Sequence, residues 1–255
     1  MKEFTLGLGQ TLVEGGTREA NLRRAEGAIR KLATKGADVV LLPEAMNLGW
    51  THPSCHTQAE PIPNGESCQH LSKLAAELDL YVAAGLVEQD AGTIHNSAVL
   101  IDSSGEVILQ HRKINELDIA HDCYTPGTGL QVIDTKLGRL GLMICADGFA
   151  DQLAISRSLA QMGAEIILSP CAWAVPPEFD PSATPYGQIW LDSYAPVCRE
   201  SNLWIAACSN IGPIEAGPWK GHRCIGNSIV MGPEGKPTLT GPYDQLTVMT
   251  VQVAD

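Results

Sequence analysis

ADVVLLPEA, residues 37–45, is a short aliphatic run, Val39 to Leu42, that halts at Pro43 and ends on an acid, Glu44. A strand wetted on one face alternates apolar and polar residues. An unbroken run of this length reads instead as a strand buried on both faces, the pattern of a sheet covered on each side. Two further runs share the design: EVILQHRK (106–113) ends on Lys113 and GRLGLMIC (138–145) ends on Cys145. Each delivers a group that is costly to bury, or chemically reactive, to the end of a core strand. A carboxylate, an ammonium and a thiol are together the groups needed for acyl transfer through a thioester.

Outward from these runs, strand and helix signals alternate. FTLGLGQTLV (4–13) reads as a strand, followed by a helix over Thr17 to Lys35 with Leu22, Ala25, Ile29, Leu32 and Ala33 near helical spacing, Thr17 as N-cap and Gly36 as stop. A helix over Ser67 to Leu78 leads into the strand YVAAGLVE (81–88), and SAVLID, SSG and EVILQHRK (97–113) form a strand–turn–strand hairpin. GRLGLMIC and AEIILSP (164–170) bracket a predicted helix over Asp151 to Met162; a helix over Tyr186 to Ser201 precedes the strand LWIAACSN (203–210), and the C-terminal part is strand-rich. Buried strands alternating with fewer, longer helices predict an α/β chain with helices on the outside. So many strands are better divided between two packed sheets than laid in one, since twisted open sheets rarely exceed about ten strands.

The chain has 255 residues, 44% of them hydrophobic, and no low-complexity linker, which predicts one domain over residues 1–255 with a substantial core. A formal charge of −12, from 29 acidic and 17 basic residues, argues against nucleic acid or an anionic membrane as partner. No apolar stretch approaches twenty residues and MKEFTLGLGQ is not a secretion signal, so the expectation is a soluble, cytoplasmic protein. Eight scattered cysteines without a CxxC pair read as reduced thiols. His52, Cys55 and His56, and separately His121 and Cys123, are close in sequence but lack the ligand spacing of a closed metal site; neither a metal nor a cofactor is expected. There is no G-x-S-x-G elbow, no phosphate-binding loop and no dinucleotide turn.

Cys145 stands where its strand gives way to a turn, so the thiol can be exposed at the strand end and the Ala146 N–H can meet a developing oxyanion. Taken singly, each residue has an ordinary reading: Cys145 as core packing, Glu44 as a first-turn carboxylate, Lys113 as a solvated strand end. The argument for chemistry rests on the three together.

The segments LLPEA, NSAVLIDSSGEVILQHRKINEL, GRLGLMICAD, GAEIILSPCAW, CRESNLWIAACSNIG and IGNSIVMGPEGK resemble, in order and spacing, the successive blocks of the nitrilase, or carbon–nitrogen hydrolase, superfamily. The resemblance covers roughly Phe4 to Val253. It implies an αββα sandwich of two packed mixed sheets with helices on the outer faces, and a catalytic triad of Glu44, Lys113 and Cys145. The implied activity is cysteine-dependent cleavage of a non-peptide carbon–nitrogen bond in a small linear amide, releasing ammonia or an amine. Acyl transfer to an amine and nitrile hydrolysis are the neighbouring alternatives, and an inactive scaffold is the alternative of a different class. The resemblance also implies a small-molecule partner and a homodimer or higher homo-oligomer.

Many members carry a second glutamate shortly before a Pro-Gly turn. Here Asp122, four residues before Pro126-Gly127, is the expected substitute, ahead of Glu116 and Asp118. Trp173, in Cys171-Ala172-Trp173, corresponds to a stretch lining the pocket, so Trp173 and Ala146 join Asp122 as expected substrate contacts. Ala146-Asp147 replaces the Trp-Glu pair of nitrile-cleaving relatives, and no arginine follows the cysteine to clamp a carboxylate. Asp147, Glu178 and Asp180 are expected to lend the pocket negative character, favouring a neutral or cationic amide. The long loop WAVPPEFDPSATPYGQIW (173–190) is a candidate lid or oligomer contact.

Overall fold

The computed structural model describes residues 1–254. Its first half runs β1 (Phe4–Gln10), α1 (Arg18–Ala33), β2 (Val39–Leu41), α2 (Cys55–Gln58), α3 (Glu66–Leu78), β3 (Tyr81–Asp90), β4 (Thr93–Ile101) and β5 (Val107–Arg112). The second half runs β6 (Val132–Thr135), β7 (Gly138–Leu142), α4 (Ala154–Gln161), β8 (Ile166–Cys171), β9 (Ala174–Val175), α5 (Gln188–Ser201) and β10 (Trp204–Ser209). It closes with β11 (Ile211–Pro213), β12 (Arg223–Ile225), β13 (Ile229–Met231), β14 (Pro237–Thr240) and β15 (Thr247–Val253).

Two six-stranded sheets carry the fold, in the orders β15-β1-β2-β3-β4-β5 and β14-β13-β10-β8-β7-β6; β11, β12 and β9 form a small third sheet. Both large sheets have a parallel centre, β1-β2-β3 in one and β7-β8-β10 in the other, flanked by antiparallel strands. Each parallel step needs a crossover, and α1, α3, α4 and α5 supply them.

The unbroken apolar run of β2 now has a cause. Val39 and Leu41 point into the core between the two sheets, beside Leu142 and Leu168 among others. Val40 and Leu42 point the other way, into a second core with Leu22, Ile29 and Leu32 of α1 and Leu71 and Leu74 of α3. Both faces are dry, so neither can be polar. The result is the αββα sandwich that the sequence predicts.

Two local expectations are corrected. Thr17 occupies the N-cap position, but its hydroxyl donates to the Glu14 carbonyl at 3.1 Å instead of capping α1. The helix predicted over 151–162 begins only at Ala154, because Gln152 (φ +52°) and Leu153 (φ +58°) adopt the left-handed conformation, which no continuous α-helix accommodates.

Candidate active site

Three turns at strand ends converge where the two sheets meet. Glu44 follows β2 and Lys113 follows β5, both in the first sheet; Cys145 follows β7 in the second. Glu44 is tied across the seam, its N–H donating to the Cys171 carbonyl at the end of β8 at 3.2 Å. The chain passes so close to β3 that a Cβ on Gly85 would stand 2.5 Å from the Glu44 Cα, which only glycine avoids. Lys113 is held at both ends of its peptide unit: its N–H donates to Asn96 O at 2.8 Å and its carbonyl accepts from Gly127 N–H at 2.7 Å.

Cys145 itself has φ +43° and Ala45, beside Glu44, has φ +45°. Non-glycine residues held in this region store strain that the surroundings must enforce, a feature that clusters at functional sites. For Cys145 the enforcing group is Asp147. Its Oδ2 accepts from Ile144 N–H at 2.9 Å and pairs with His111 Nε2 at 2.7 Å, while Oδ1 accepts from Ile114 N–H at 3.1 Å and Asn115 N–H at 2.8 Å. The Asn115 amide adds a bond to the Ala146 carbonyl at 2.7 Å. The turn bearing the thiol is thereby bolted to the loop bearing Lys113. Against the cost of burial, His111 and these N–H donors hold the Asp147 carboxyl below its ordinary range.

Glu44 and Lys113 are each 1% exposed and meet at 2.7 Å, Lys113 Nζ to Glu44 Oε1; Asn96 Nδ2 donates to the same oxygen at 2.7 Å. Oε2 of Glu44 is buried and has no hydrogen-bond partner among the described residues. Burial would lower the Lys113 pKa, but Glu44, then Glu116 and Cys145, outweigh it and keep the ammonium charged. Burial pushes the Cys145 thiol well up, aided by the Cys171 thiol and the Glu44 charge, so the resting sulfur is protonated.

The fourth titratable group is Glu116, whose Oε2 lies 3.6 Å from Lys113 Nζ. Its burial pushes the carboxyl up to about 8, Lys113 only partly opposing it, and among the described residues neither oxygen has a hydrogen-bond partner. Asp122, the acid preferred on sequence grounds, is exposed, as is Asp118, and neither lines the cavity. The loop after Lys113 folds back immediately, so the acid three residues on reaches the ammonium, whereas the one nearer Pro126 does not.

Cys145 opens onto a cavity of about 190 Å³. Ala146 and Trp173 line it as expected, with Lys113 at its base and six aromatic rings around it: Trp50, Phe149, Trp173, Tyr186, Trp190 and Trp219. Four of the chain's five tryptophans are in this wall. Trp173 stacks on Trp190 at 4.7 Å between centroids. The expected negative character is not there: Asp147 is turned into its own hydrogen bonds behind Cys145, and Glu178 and Asp180 are exposed. Apart from Lys113, no side chain of the wall is ionised near neutrality.

Sequence reasoning missed Asn96, Trp50, Trp190 and Trp219. Asn96 stands between His95 and Ser97 in the polar first half of β4 and had no signal of its own; of the tryptophans only Trp190, at the end of the 173–190 loop, lay in a segment the sequence singled out.

The carbon–nitrogen hydrolase family model matches residues 7–255 of this chain. Among similar proteins, the omega-amidase NIT2 of Bos taurus is 34% identical over 184 residues, covering 68% of this chain and 65% of its own length. A nitrilase of Pyrococcus abyssi is 28% identical over 222 residues, covering 86% of this chain and 77% of its own. Among solved structures, Saccharomyces cerevisiae Nit3 superposes with a TM-score of 0.83 at 23% identity, over 98% of this chain and 90% of that one. An amidase mutant from Nesterenkonia sp. AN1, with the acetamide moiety of fluoroacetamide added at its active site cysteine, superposes at 0.82 and 20% identity, over the same shares. At these identities the structures share the fold.

Proposed function

This chain belongs to the carbon–nitrogen hydrolase family, and from that premise we propose that it is an amidase that hydrolyses small, uncharged amides through a thioester on Cys145. The observation that carries this reading is the divided Glu44 carboxylate. One oxygen is locked by Lys113 and Asn96, and the other is buried without a partner in the site that perturbs the Cys145 thiol.

Glu44 Oε2 takes the thiol proton as sulfur attacks the amide carbonyl, forming the C–S bond. Charge collects on the former carbonyl oxygen, where the Lys113 ammonium and the Ala146 N–H stabilise it; N–H groups at the start of a helical turn lack intrahelical acceptors and are free for this work. Collapse breaks the C–N bond, and the proton on Glu44 leaves with the amine. Water then enters, loses a proton to Glu44 and attacks the thioester; the C–S bond breaks, the acid departs and the thiol is restored. Glu116, neutral over much of the pH range in which the enzyme would act, positions Lys113 from behind, at 3.6 Å from its ammonium, without adding charge.

The wall sets the acyl group. It offers aromatic faces and no cation other than a lysine already engaged by Glu44, so a carboxylate on the substrate would be desolvated without a partner. Ammonia release should therefore be measured on uncharged aliphatic and aromatic amides beside chain-matched amides ending in a carboxylate. The uncharged series should lead by about 100-fold or more in kcat/KM. Preference for the carboxylate series would overturn the assignment of substrate, and silence on both would overturn the assignment of amidase.

A further inference from the structure

Two segments that flank the cavity also meet outside it. The first, residues 50–58, runs from Trp50 into α2; the second, 113–124, runs from Lys113 through Glu116 and a 3-10 turn at Asp118–Ala120. They are joined by Thr51 N–H donating to the Tyr124 hydroxyl at 3.0 Å and by the Cys123 thiol donating to the Thr51 carbonyl at 3.7 Å. At this junction Cys55 and His56 of α2 stand against Cys123, with one ligand atom of each, two sulfurs and an imidazole nitrogen, all within 4.8 Å of one another. None of the three takes part in the proposed chemistry.

We propose that Cys55, His56 and Cys123 form a binding site for a single thiophilic divalent cation of the zinc type. Sulfur, sulfur and nitrogen are the donors that zinc selects, at about 2.3 Å to sulfur and about 2.0 Å to nitrogen. Tetrahedral binding at those lengths asks for donor separations of about 3.5–3.8 Å, so the donors, now within 4.8 Å, must draw together by about 1 Å to close onto an ion. The two thiols are buried and face one another across the junction of the two segments. His56 is exposed and gives the route by which an ion enters. Three protein donors leave the fourth position to water. Binding expels the thiol protons, so it strengthens as pH rises. An ion here would pin the segment carrying Trp50 to the segment carrying Lys113 and Glu116.

The local clusters that the sequence offered, His52 with Cys55 and His56, and His121 with Cys123, each lacked a closed set. The fold takes two residues from the first and one from the second.

The test is titration of the reduced full chain with Co²⁺, followed by displacement with Zn²⁺, in the Cys145→Ala background so that the nucleophile cannot contribute. The expected result is one equivalent of Co²⁺ with a sulfur-to-metal charge-transfer band, displaced by Zn²⁺, and a raised Tm. Cys55→Ser and Cys123→Ser should each abolish the band. His56→Gln, an exposed change that leaves packing alone, should weaken binding by about tenfold or more. A band that survives the Cys55→Ser/Cys123→Ser double variant would overturn the site. So would the absence of a band from protein whose thiols are all titratable, or closure of a Cys55–Cys123 disulfide in place of metal uptake.

Discussion

Lys113 illustrates why the proposed chemistry depends on a pair of buried charges. At 1% exposure each, Glu44 and Lys113 tolerate burial only through one another. Lys113→Met should cost about 3–5 kcal/mol of stability by stranding Glu44 and should lower the acylation rate by about 100-fold or more. Adding Glu44→Gln should restore most of the stability, read by urea unfolding, while activity falls further. Recovery of activity with stability would show that the pair is structural. Glu116 gives a pH signature. Its folded pKa, about 8, lies above the unfolded carboxylate value, so its contribution to stability is present below the unfolded value and is lost as pH rises through about 8. Glu116→Gln should flatten both the decline in stability and any alkaline limb of kcat/KM in that window, and an unchanged profile would remove Glu116 from the site. The sequence left Glu116 behind Asp122 because distance to Pro126 was the only ruler available; which acid reaches Nζ is decided by how the loop folds back. Asp147 was misread for a related reason, since four backbone and side-chain partners drawn from two elements are invisible in a string of letters.

Among the elements, those whose own composition dictates burial were legible. Doubly buried aliphatic runs identify β2, β7 and β8, and apolar spacing identifies α1 and α3. The start of α4 was not, because two left-handed residues after the Cys145 turn obey a tertiary demand and have no helix-breaking residue to announce them. The same dependence on context makes Gly85 a sensitive position. Gly85→Ala places a methyl group 2.5 Å from the Glu44 Cα, against backbone that cannot rotate away. It should destabilise by about 1–3 kcal/mol and cut kcat at least tenfold, whereas Gly27→Ala, with open space around it, should leave kcat unchanged. Equal effects at the two glycines would refute the role given to the close approach at β3.

The molecule as a whole explains why a chain of two sheets is needed for one site. The acid and the ammonium come from the first sheet, the thiol from the second, and the Glu44 N–H to Cys171 carbonyl bond crosses between them. Neither sheet alone holds Glu44, Lys113 and Cys145, the proposed triad; the core between them sets its spacing. The aromatic wall is likewise assembled from distant positions, Trp50 to Trp219, which is why the fold was readable before the substrate chemistry was. The central claim is that one thiol of eight carries the acyl group. Intact mass and peptide mapping of the enzyme quenched during turnover of an uncharged amide test it directly. An acyl adduct on Cys145, with neither adduct nor ammonia from the Cys145→Ala variant, is the predicted result; an adduct on another cysteine, or undiminished ammonia release by that variant, would contradict it.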